Sequence, residues 1–345
     1  MSSALISKKR ILLCLMLFVL ALPNLHASSS EVNGLPNPST RTQYSSSSWF
    51  ASADFLAWFP SEEVTSIWAD VINEGDNTST WGYPGFDLKW GYGFRVGLGY
   101  NLIYDQWDTS LSWTSFHSNT RHTLSAKPST VIQPEFFAAW LSGNWSESIS
   151  AKWGIFFNML DWELGRSYWI SKDFSLRPFL GIKGGWIHQS IHVQYHRLIL
   201  DYTIHTNNSG KEHVKNNFAG IGPEAGFNSK WRVFNFGSHF LNLFGDFSLA
   251  GLCGSWTVGD SYNNTLNKTC SVNTKKNTLG AFTFRGFLGL GWDVDINSGR
   301  SHFAAQLGYE MQLWLNQLRI ATFQLQRLHG DLTLQGITLD CRFDF

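Results

Sequence analysis

The sequence predicts an all-β fold, a transmembrane antiparallel β-barrel of about ten strands with long external loops, and three observations lead to this prediction. Apolar residues alternate with glycine or polar residues in many segments, as in strands that bury one face. Aromatic residues make up 16% of the chain and charged residues 15%, whereas a soluble domain carries about 25% charged residues. Long and short segments alternate between the predicted strands. Much of the surface is therefore expected to face something other than water.

The N-terminal segment is predicted to be an export signal. A basic tripeptide (residues 8–10) precedes twelve apolar residues, and residues 25–27 supply a cleavage site. Twelve apolar residues are too few to cross a bilayer as a helix, which needs about 20. We expect a cleavable signal peptide over residues 1–27, a flexible Ser-, Asn- and Pro-rich lead-in over 28–48, and the barrel over 49–345.

Alternation of period two marks five segments most clearly. Glycine and charged residues occupy the opposite face, for example Arg95 between Gly93 and Gly97. The segment from Trp90 to Tyr100 covers roughly 25 Å at about 3.3 Å per residue and a tilt near 40°, which is the height of the lipid-facing band of a barrel. The apolar faces consist of Trp49, Ala51, Ala53, Phe55, Ala57 and Phe59; of Trp90, Tyr92, Phe94, Val96, Leu98 and Tyr100; of Phe282, Phe284, Leu288, Leu290 and Trp292; of Phe303, Ala305, Leu307, Tyr309, Met311 and Leu313; and of Ile337, Leu339, Cys341, Phe343 and Phe345.

A soluble β-sandwich is the competing fold, because its strands also alternate. The length of the segment from Trp90 to Tyr100 argues against it, as do the aromatic residues at both borders, which match the interfacial girdles of membrane barrels. The glycine-rich and charged opposite face suits a barrel interior better than a solvated sheet. We therefore expect a membrane barrel.

The lengths of the connections predict the orientation. Outer-membrane barrels have long external loops and short periplasmic turns, so both termini are expected in the periplasm. A hairpin starting in residues 131–142 would raise the number of strands to twelve, although Pro134 argues against a central strand there. The ten candidate strands are residues 49–59, 89–100, 107–116, 151–165, 174–193, 218–229, 239–252, 279–294, 302–314 and 336–345; the long connections are 60–88, 117–150, 194–217, 253–278 and 315–335, and the short ones are 101–106, 166–173, 230–238 and 295–301.

The last strand is predicted to run to Phe345, the final residue. Chain ends are usually polar and frayed, so an aromatic residue here indicates that the strand is held in place. Pairing with the first strand would do this and would remove the open edges of the sheet. A closing aromatic residue also resembles the signal that the barrel assembly machinery of the outer membrane recognises, and Phe345 is the candidate for that signal.

Two blocks of the chain carry a family resemblance. The first block, residues 158–187, contains Asp161, Glu163, Leu164, Gly165 and Arg166, then Ser175, Leu176, Arg177, Pro178 and Phe179, then Gly181, Gly185, Trp186 and Ile187; the second, the tail, contains Gly330, Asp331, Leu332, Gln335, Gly336, Arg342, Phe343, Asp344 and Phe345. Both blocks resemble the Legionella major outer membrane protein family, which also occurs in chlamydia-like bacteria. The resemblance covers residues 49–345 and implies a pore-forming barrel in the outer membrane of a Gram-negative bacterium. It implies no catalytic residues.

Charges of both signs are predicted to face the lumen. In a channel they would set a transverse field for polar solutes, whereas in a narrow barrel they would pair and fill the interior. Eight strands leave room only for side chains and 16 leave an aqueous channel, so ten strands lie nearer the filled limit. Our hypothesis is a porin-like channel for small hydrophilic solutes, and the alternative is a structural or adhesive barrel with a filled lumen that acts through its external loops. The predicted lumen residues are Asp54, Arg95, Asp161, Glu163, Arg177, Lys183, Asp246, Arg285, Glu310, Asp340 and Arg342.

Other classes of function are not favoured. The 26 basic and 26 acidic residues do not suggest nucleic-acid binding, which normally requires a strongly basic protein. The chain has no Gly-x-Ser-x-Gly motif, and we expect neither an enzyme nor a cofactor. His188, His192 and His196 have a spacing that on a helix would suit zinc, but on a strand it only places them on one face, so we expect no metal site.

The cysteines leave two alternatives open. Cys253 and Cys270 bracket one predicted external loop in an oxidising compartment, so a disulfide between them competes with two free thiols. Cys341 lies on an apolar face and is expected to be a small lipid-facing residue. Cross-linking between subunits, and with it a homo-oligomer, is also left open.

Overall fold

The computed structural model describes residues 48–62, 68–74, 79–82, 85–86, 89–102, 105–127, 130–141, 145–199, 208–296, 301–321 and 327–345. The expected signal peptide, and the expected lead-in apart from its last residue, lie outside these ranges. Among the residues described, no helix has the length and apolar character needed to cross a membrane. The elements are β1 (Ser48–Glu62), β2 (Ala69–Glu74), β3 (Ser79–Gly82), β4 (Gly91–Asn101), β5 (Trp107–Ser125), β6 (Thr130–Pro134), α1 (Phe136–Leu141), β7 (Trp145–Arg166), β8 (Tyr168–Trp169), β9 (Phe174–Ile199), β10 (Asn208–Phe236), β11 (His239–Asn264), β12 (Thr269–Ile296), β13 (Ser301–Ala321) and β14 (Arg327–Asp344).

Ten of these strands close into an antiparallel barrel. The order around the ring is β1-β4-β5-β7-β9-β10-β11-β12-β13-β14, and β14 pairs with β1. The prediction of a ten-stranded antiparallel barrel is confirmed, and each predicted strand overlaps an observed one. The segment considered for a twelve-stranded barrel instead forms β6 and α1, and β6 pairs with β2 and touches β7 at one position. The short strands β2, β3, β6 and β8 are additions to the ring.

The seam between β1 and β14 closes the sheet. It runs from the pair Phe50 and Asp344 to the pair Glu62 and Leu332. Beyond the last pair, the backbone N–H of Phe345 donates to the carbonyl of Trp49 at 2.9 Å. Closure satisfies the edge groups of both strands, which lipid could not do. A role for Phe345 as an assembly signal stays a prediction.

Both described ends of the chain lie at one end of the barrel, which we call the terminal end; the opposite end is the far end. Ser48 pairs with Asn101 at the end of β4, so the turn from β4 to β5 also lies at the terminal end. Only two residues, Gly237 and Ser238, separate β10 from β11 at this end. The longer connections, which carry β2, β3, β6 and α1, lie at the far end.

An apolar band surrounds the outside of the barrel near the terminal end. On β4, the outward side chains Tyr92, Phe94, Val96 and Leu98 are between 43% and 64% exposed. Equivalent exposed apolar side chains lie on β7, β9, β11, β12, β13 and β14. A continuous belt of this kind would be costly in water and is typical of the lipid-facing surface of an outer-membrane barrel.

The alternation inverts along the longer strands. On β9, outward residues are apolar from Leu176 to Trp186 and polar from His188 onwards. The inward residues change in the opposite sense, from charged residues and glycine before Trp186 to buried Ile187, Ile191 and Tyr195 after it. Beyond the lipid band, the wall is therefore polar outside and apolar inside, like an ordinary soluble protein.

This inversion lets the strands run further than the sequence predicts. Much of the segments 194–217 and 253–278, which we expected to be loops, continues as strand, and the turn between β11 and β12 spans only residues 265–268. The predicted strands were those with apolar residues on their outward face. Beyond the band, the apolar residues of each strand point inward instead. β10 and β12 have 29 and 28 residues, far more than the about 9–11 that cross the band, so the barrel wall continues well beyond the lipid.

Cysteine labelling tests the position of the lipid band. In a background of Cys253→Ser, Cys270→Ser and Cys341→Ser, we expect a membrane-impermeant maleimide to label Gln194→Cys rapidly in lipid nanodiscs. Leu180→Cys on the same outward face of β9 should react slowly, because lipid covers it. Labelling rates are measured by mass shift, and the unfolded variants in urea supply the control for intrinsic reactivity. Equal rates in the folded protein would contradict the assigned band.

Candidate functional site

The structure places all eleven predicted lumen residues on inward-facing strand positions, and none of them is exposed. Most belong to three ion-pair clusters at the level of the lipid band. The clusters are described by their central residues Glu310, Arg177 and Lys183. Asp340 lies opposite Asp54 across the seam.

The Glu310 cluster joins five consecutive strands of the ring, β12, β13, β14, β1 and β4. The Glu310 carboxylate has no exposed surface, and its Oε1 accepts from Arg95 Nη2 and from Arg285 Nε, both at 2.7 Å. Thr338 donates to Oε2 at 2.9 Å, and Arg95 also donates to Asp54 at 2.7 Å. A buried carboxylate needs such partners, because desolvation would otherwise make its charge too costly.

The Arg177 cluster joins β5, β7, β9 and β10. The Arg177 guanidinium binds Asp108 through Nε and Nη2, at 2.9 Å and 2.5 Å for the shorter contacts. Its Nη1 donates to Glu163 at 3.1 Å and to Asn228 at 2.6 Å. The planar guanidinium can satisfy several acceptors at once, which suits it to hold a lumen wall together. Asp108 and Asn228 are partners that the sequence analysis missed.

The Lys183 cluster lies six residues beyond Arg177 along β9, on the same inward face. Its ammonium donates to Asp161 at 2.7 Å and to Glu224 at 2.9 Å. Near the terminal end, Arg342 donates to Asp344 at 2.7 Å, and Lys230 donates to Asp293 at 2.8 Å. The inward charges thus pair with one another along the inner wall of the barrel.

An apolar plug fills the lumen on the far side of these clusters. We define the apolar plug as the buried inward side chains around Trp58 and Trp314, neither of which has exposed surface. Trp58 packs on Phe116 with ring centroids 5.4 Å apart, and Trp314 packs edge-on against Phe157 at 5.5 Å. The other members are Leu56, Trp153, Ile155, Ile187, Phe218, Trp256, Leu332 and Leu334.

Hydrogen bonds join the apolar plug to the Glu310 cluster. The indole N–H of Trp58 donates to the hydroxyl of Thr338 at 3.0 Å, and Thr338 in turn donates to Glu310. The indole N–H of Trp314 lies 3.4 Å from the side-chain oxygen of Gln312, whose amide donates to Glu310 at 3.0 Å. The plug and the charged layer are therefore one connected structure.

The sequence analysis missed the plug because its residues lie in segments where the apolar face had changed sides. Trp153, Ile155 and Phe157 occupy alternate, inward positions on β7, and Trp256 occupies an inward position on β11. Their period of two was present, but it was out of phase with the lipid-facing pattern. A search for a phase change within one strand would have found it.

A group of buried carboxylates lies between the plug and the far end. Glu212 accepts from the hydroxyl of Tyr195 and from the backbone N–H of Phe137 in α1, both at 2.7 Å. Burial raises the pKa of Glu212 well above its usual value, and repulsion from Asp260 adds to the shift. Burial also raises the pKa of Asp260 to about 7. These groups hold α1 against the barrel and are not open to a substrate, because Glu212 and Asp260 are buried.

Of the two alternatives left open for Cys253 and Cys270, the structure shows free thiols. Cys253 faces outward on β11, opposite Gly280, and Cys270 faces the interior of β12, opposite Tyr262. Both are free thiols, as is Cys341. Because Cys253 pairs with Gly280 and Cys270 with Tyr262, the two thiols lie on opposite sides of the wall at different heights.

His188, His192 and His196 lie on the outward face of β9 beyond the lipid band. His192 stacks on His213 of β10 with ring centroids 3.8 Å apart. Within the part of the chain that the structure describes, no group of three or more His, Cys, Asp or Glu side chains is placed to hold a metal ion.

The profile of the Legionella pneumophila major outer membrane protein precursor family matches residues 43–345. The chain belongs to the Legionella major outer membrane protein family. Membership places it in the outer membrane, in agreement with the apolar band and the closed barrel. The family resemblance seen in the sequence is confirmed. No curated protein matches the chain.

Solved structures with a similar course of the chain are also outer-membrane proteins. The protease OmpT from Escherichia coli has 8% identity and a TM-score of 0.39, and the match covers 90% of this chain and all of OmpT. The Pseudomonas putida toluene transporter TodX has 10% identity and a TM-score of 0.28, with 90% and 92% covered. Ail of Yersinia pestis has 9% identity and a TM-score of 0.21, with 86% and 99% covered. At these scores, the similarities carry no argument about function.

Removing the charge of Glu310 tests the Glu310 cluster. We expect Glu310→Gln to lower the free energy of unfolding by about 3–5 kcal/mol, because Arg95 and Arg285 remain buried without a counter-charge. The matched control is Glu147→Gln, which breaks an exposed pair with Arg197 and should cost no more than about 1 kcal/mol. Urea titration in detergent, followed by heat-modifiable mobility on gels, measures both. Similar losses in the two variants would contradict a central role for Glu310.

The pH dependence of stability tests the buried carboxylates. Because the pKa of Asp260 is about 7 in the folded protein, the folded state binds this proton more tightly than the unfolded state. The free energy of unfolding should therefore fall as the pH rises from about 4 to about 7. Asp260→Asn should be more stable than the wild type at about pH 8 and similar to it at about pH 4.

The control for this effect is Asp173→Asn, in an exposed turn at the terminal end. It should shift the midpoint of urea unfolding equally little at both pH values. If Asp260→Asn differed from the wild type by the same free energy of unfolding at both pH values, the Asp260 carboxylate would not cause the pH dependence of stability.

Proposed function

We propose that the protein is a structural or adhesive outer-membrane barrel with a filled lumen, which acts through the part that extends beyond the lipid band. The apolar plug carries this proposal. The side chains of Leu56, Trp58 and Trp314 at its centre have no exposed surface. A solute crossing at this level would have to shed its water against aromatic rings.

The energetic barrier at the plug is large. Burying a polar group without a hydrogen-bond partner costs about 2–7 kcal/mol, and burying an ion costs far more. The Glu310 cluster adds a second barrier, because Arg95, Arg285 and Glu310 already satisfy one another. Displacing one of them would leave a buried charge unpaired.

The surface role rests on a proposed orientation. We propose that the terminal end faces the periplasm and the far end faces the outside, because outer-membrane barrels keep short turns inside. The extension beyond the band, with α1 and the hairpin of β2 and β3, then stands at the cell surface. This role requires neither a catalytic residue nor a cofactor.

Insertion and association complete the proposal. The barrel assembly machinery would recognise β14 with Phe345, whose ring lies 6.1 Å from that of Phe343 on the lipid-facing side. Cys341 faces the same side and would be the position for a cross-link in a homo-oligomer. Both are proposals that follow from the outward face of the last strand.

A porin-like channel for small hydrophilic solutes is the second candidate, and the terminal half of the lumen favours it. Charges of both signs line this half, and polar atoms such as Asn242 Nδ2 and Asp340 Oδ1 are buried without a hydrogen-bond partner among the described residues. Buried polar groups of this kind usually bind water. If the plug moved aside, a hydrated and charged passage would remain.

Planar-bilayer recording separates the two candidates. We expect refolded wild-type protein to show no discrete conductance steps, because the plug blocks the lumen. The double variant Trp58→Ala/Trp314→Ala should show small conductance steps, since it opens the centre of the plug but leaves the Glu310 cluster in place. The control Trp113→Ala/Trp292→Ala removes two lipid-facing tryptophans and should remain silent.

Heat-modifiable mobility checks that every variant has folded. Steady conductance steps from the wild type would overturn the filled-lumen proposal and support the porin-like channel. The variants Gln194→Cys and Lys172→Cys, labelled on intact cells with the impermeant maleimide, test the orientation separately. Labelling at Lys172 in place of Gln194 would reverse it.

A further inference from the structure

A shallow groove of about 410 Å³ lies on the outer wall of β5, β7, β9 and β10. Gly154 of β7 forms its floor, with Asn119 of β5 on one side and Ser190 of β9 on the other. A side chain at Gly154 would collide with Asn119, since an added Cβ would lie 2.7 Å from Asn119 Oδ1. The missing side chain is what makes this part of the wall concave.

Basic and imidazole side chains surround the groove in registered rows. On the side of the far end, neighbouring strands place Arg121, Lys152, His192 and His213 in one row. Lys215 of β10 lies beside Ser190 in the middle row. No carboxylate is among the residues that line the groove.

The row nearest the terminal end contains His117, Phe156, His188 and Asn217. The ring of Phe156 lies between those of His117 and His188, at centroid distances of 6.4 Å and 6.5 Å. His188 Nδ1 lies 2.9 Å from Asn217 Oδ1, so this ring is held in place. The row combines aromatic surface with hydrogen-bonding groups.

The groove borders the lipid band. One row closer to the terminal end, Trp186 is 43% exposed and is the last apolar outward residue of β9 before the alternation inverts. Aromatic residues at this position mark the interface between the apolar core of a membrane and its headgroups. The groove therefore lies at the level of the headgroups.

The electrostatic field of the groove is positive. Burial lowers the pKa of His192, and the charges of Lys152 and Lys215 lower it further. Burial lowers the pKa of His213 to about 4, with contributions from His192 and Lys215. His192 and His213 next to Lys152 and Lys215 offer hydrogen bonds and positive charge, and no carboxylate within the described ranges forms an ion pair with either lysine.

We propose that this groove binds the phosphorylated sugar headgroup of a glycolipid in the outer leaflet. Lys152 and Lys215 would pair with a phosphate, the asparagine and histidine side chains would bind sugar hydroxyls, and Phe156 and Trp186 would contact the first part of the acyl chains. Basic pockets at the edge of the lipid band are suited to anionic headgroups, and an amphipathic ligand fits a surface that is basic on one side and aromatic on the other.

This inference rests on the proposed orientation, in which the far end faces outward. Lipid binding by the purified protein does not depend on that orientation, whereas labelling on cells does. A failure of the lipid assignment is therefore distinguishable from a failure of the proposed function. Conductance also stays a separate measurement, because the groove lies outside the lumen.

Native mass spectrometry of the refolded protein in detergent tests the proposal. Diphosphoryl lipid A is the probe, and a fully dephosphorylated lipid A and inorganic phosphate are the comparisons. We expect Lys152→Gln/Lys215→Gln to weaken diphosphoryl lipid A binding by about tenfold or more, because each lysine near a lipid headgroup contributes appreciably to binding. The control Lys127→Gln/Lys172→Gln removes two exposed lysines elsewhere and should leave binding unchanged.

Each other outcome would overturn the assignment. Equal affinity of wild type and groove variant would show that the groove is not the site. Equal binding of the dephosphorylated lipid would show that acyl chains alone drive association. Displacement of the lipid by inorganic phosphate at matched concentration would show a site for a free anion and not for a lipid. Unchanged heat-modifiable mobility verifies that both variants are folded.

Discussion

Backbone groups that face lipid must find hydrogen-bond partners within the protein, and the rest of this structure depends on that constraint. Because each unsatisfied amide or carbonyl costs several kcal/mol in the hydrocarbon core, the sheet has to close, and the seam of β1 with β14 closes it. Closure with ten strands leaves a lumen close to the width that side chains fill. The ion pairs around Glu310 and the aromatic residues beyond them occupy this space.

Each long strand passes through two solvents. Near the terminal end, lipid surrounds the wall, so apolar side chains point out and charges pair inside. Beyond Trp186 on β9, water surrounds the wall, so His188 and His192 point out and Ile187 and Ile191 point in. The interior thus changes from charged to apolar at the same height at which the exterior changes from apolar to polar. A polar lumen and an apolar core coexist within one barrel for this reason.

The sequence predicted the ring well, because lipid imposes a strong and simple pattern on outward residues. Trp90 to Tyr100 was assigned to a strand with the correct face outward, and the charges at Arg95 and Glu310 were placed on inward positions. The bonds between these charges could not be predicted. Arg95 and Glu310 are 215 positions apart in the chain, and closure of the seam between β1 and β14 brings β4 and β13 within three strands of each other.

The extension beyond the band was harder to predict, for a physical reason. At Trp256 the apolar period continues, but its phase has shifted to the other face, so the search for outward apolar residues assigns segment 253–278 to a loop. The disulfide considered between Cys253 and Cys270 does not form for the same reason. Both residues were assigned to a loop, where their directions are unconstrained, whereas on paired strands the alternation sends them to opposite sides of the wall.

The seam has a consequence for the time order of folding. It joins Phe50 to Asp344, residues at the two ends of the described chain, so its loop-closure entropy is among the largest that this chain can incur. The hairpins between consecutive strands have short closures and can pair first, while the seam must wait for the last strand to arrive. Until then, two strand edges remain open together. Only a chain that includes its last strand can therefore close the barrel. Without β14, the edge of β1 would have no strand to pair with.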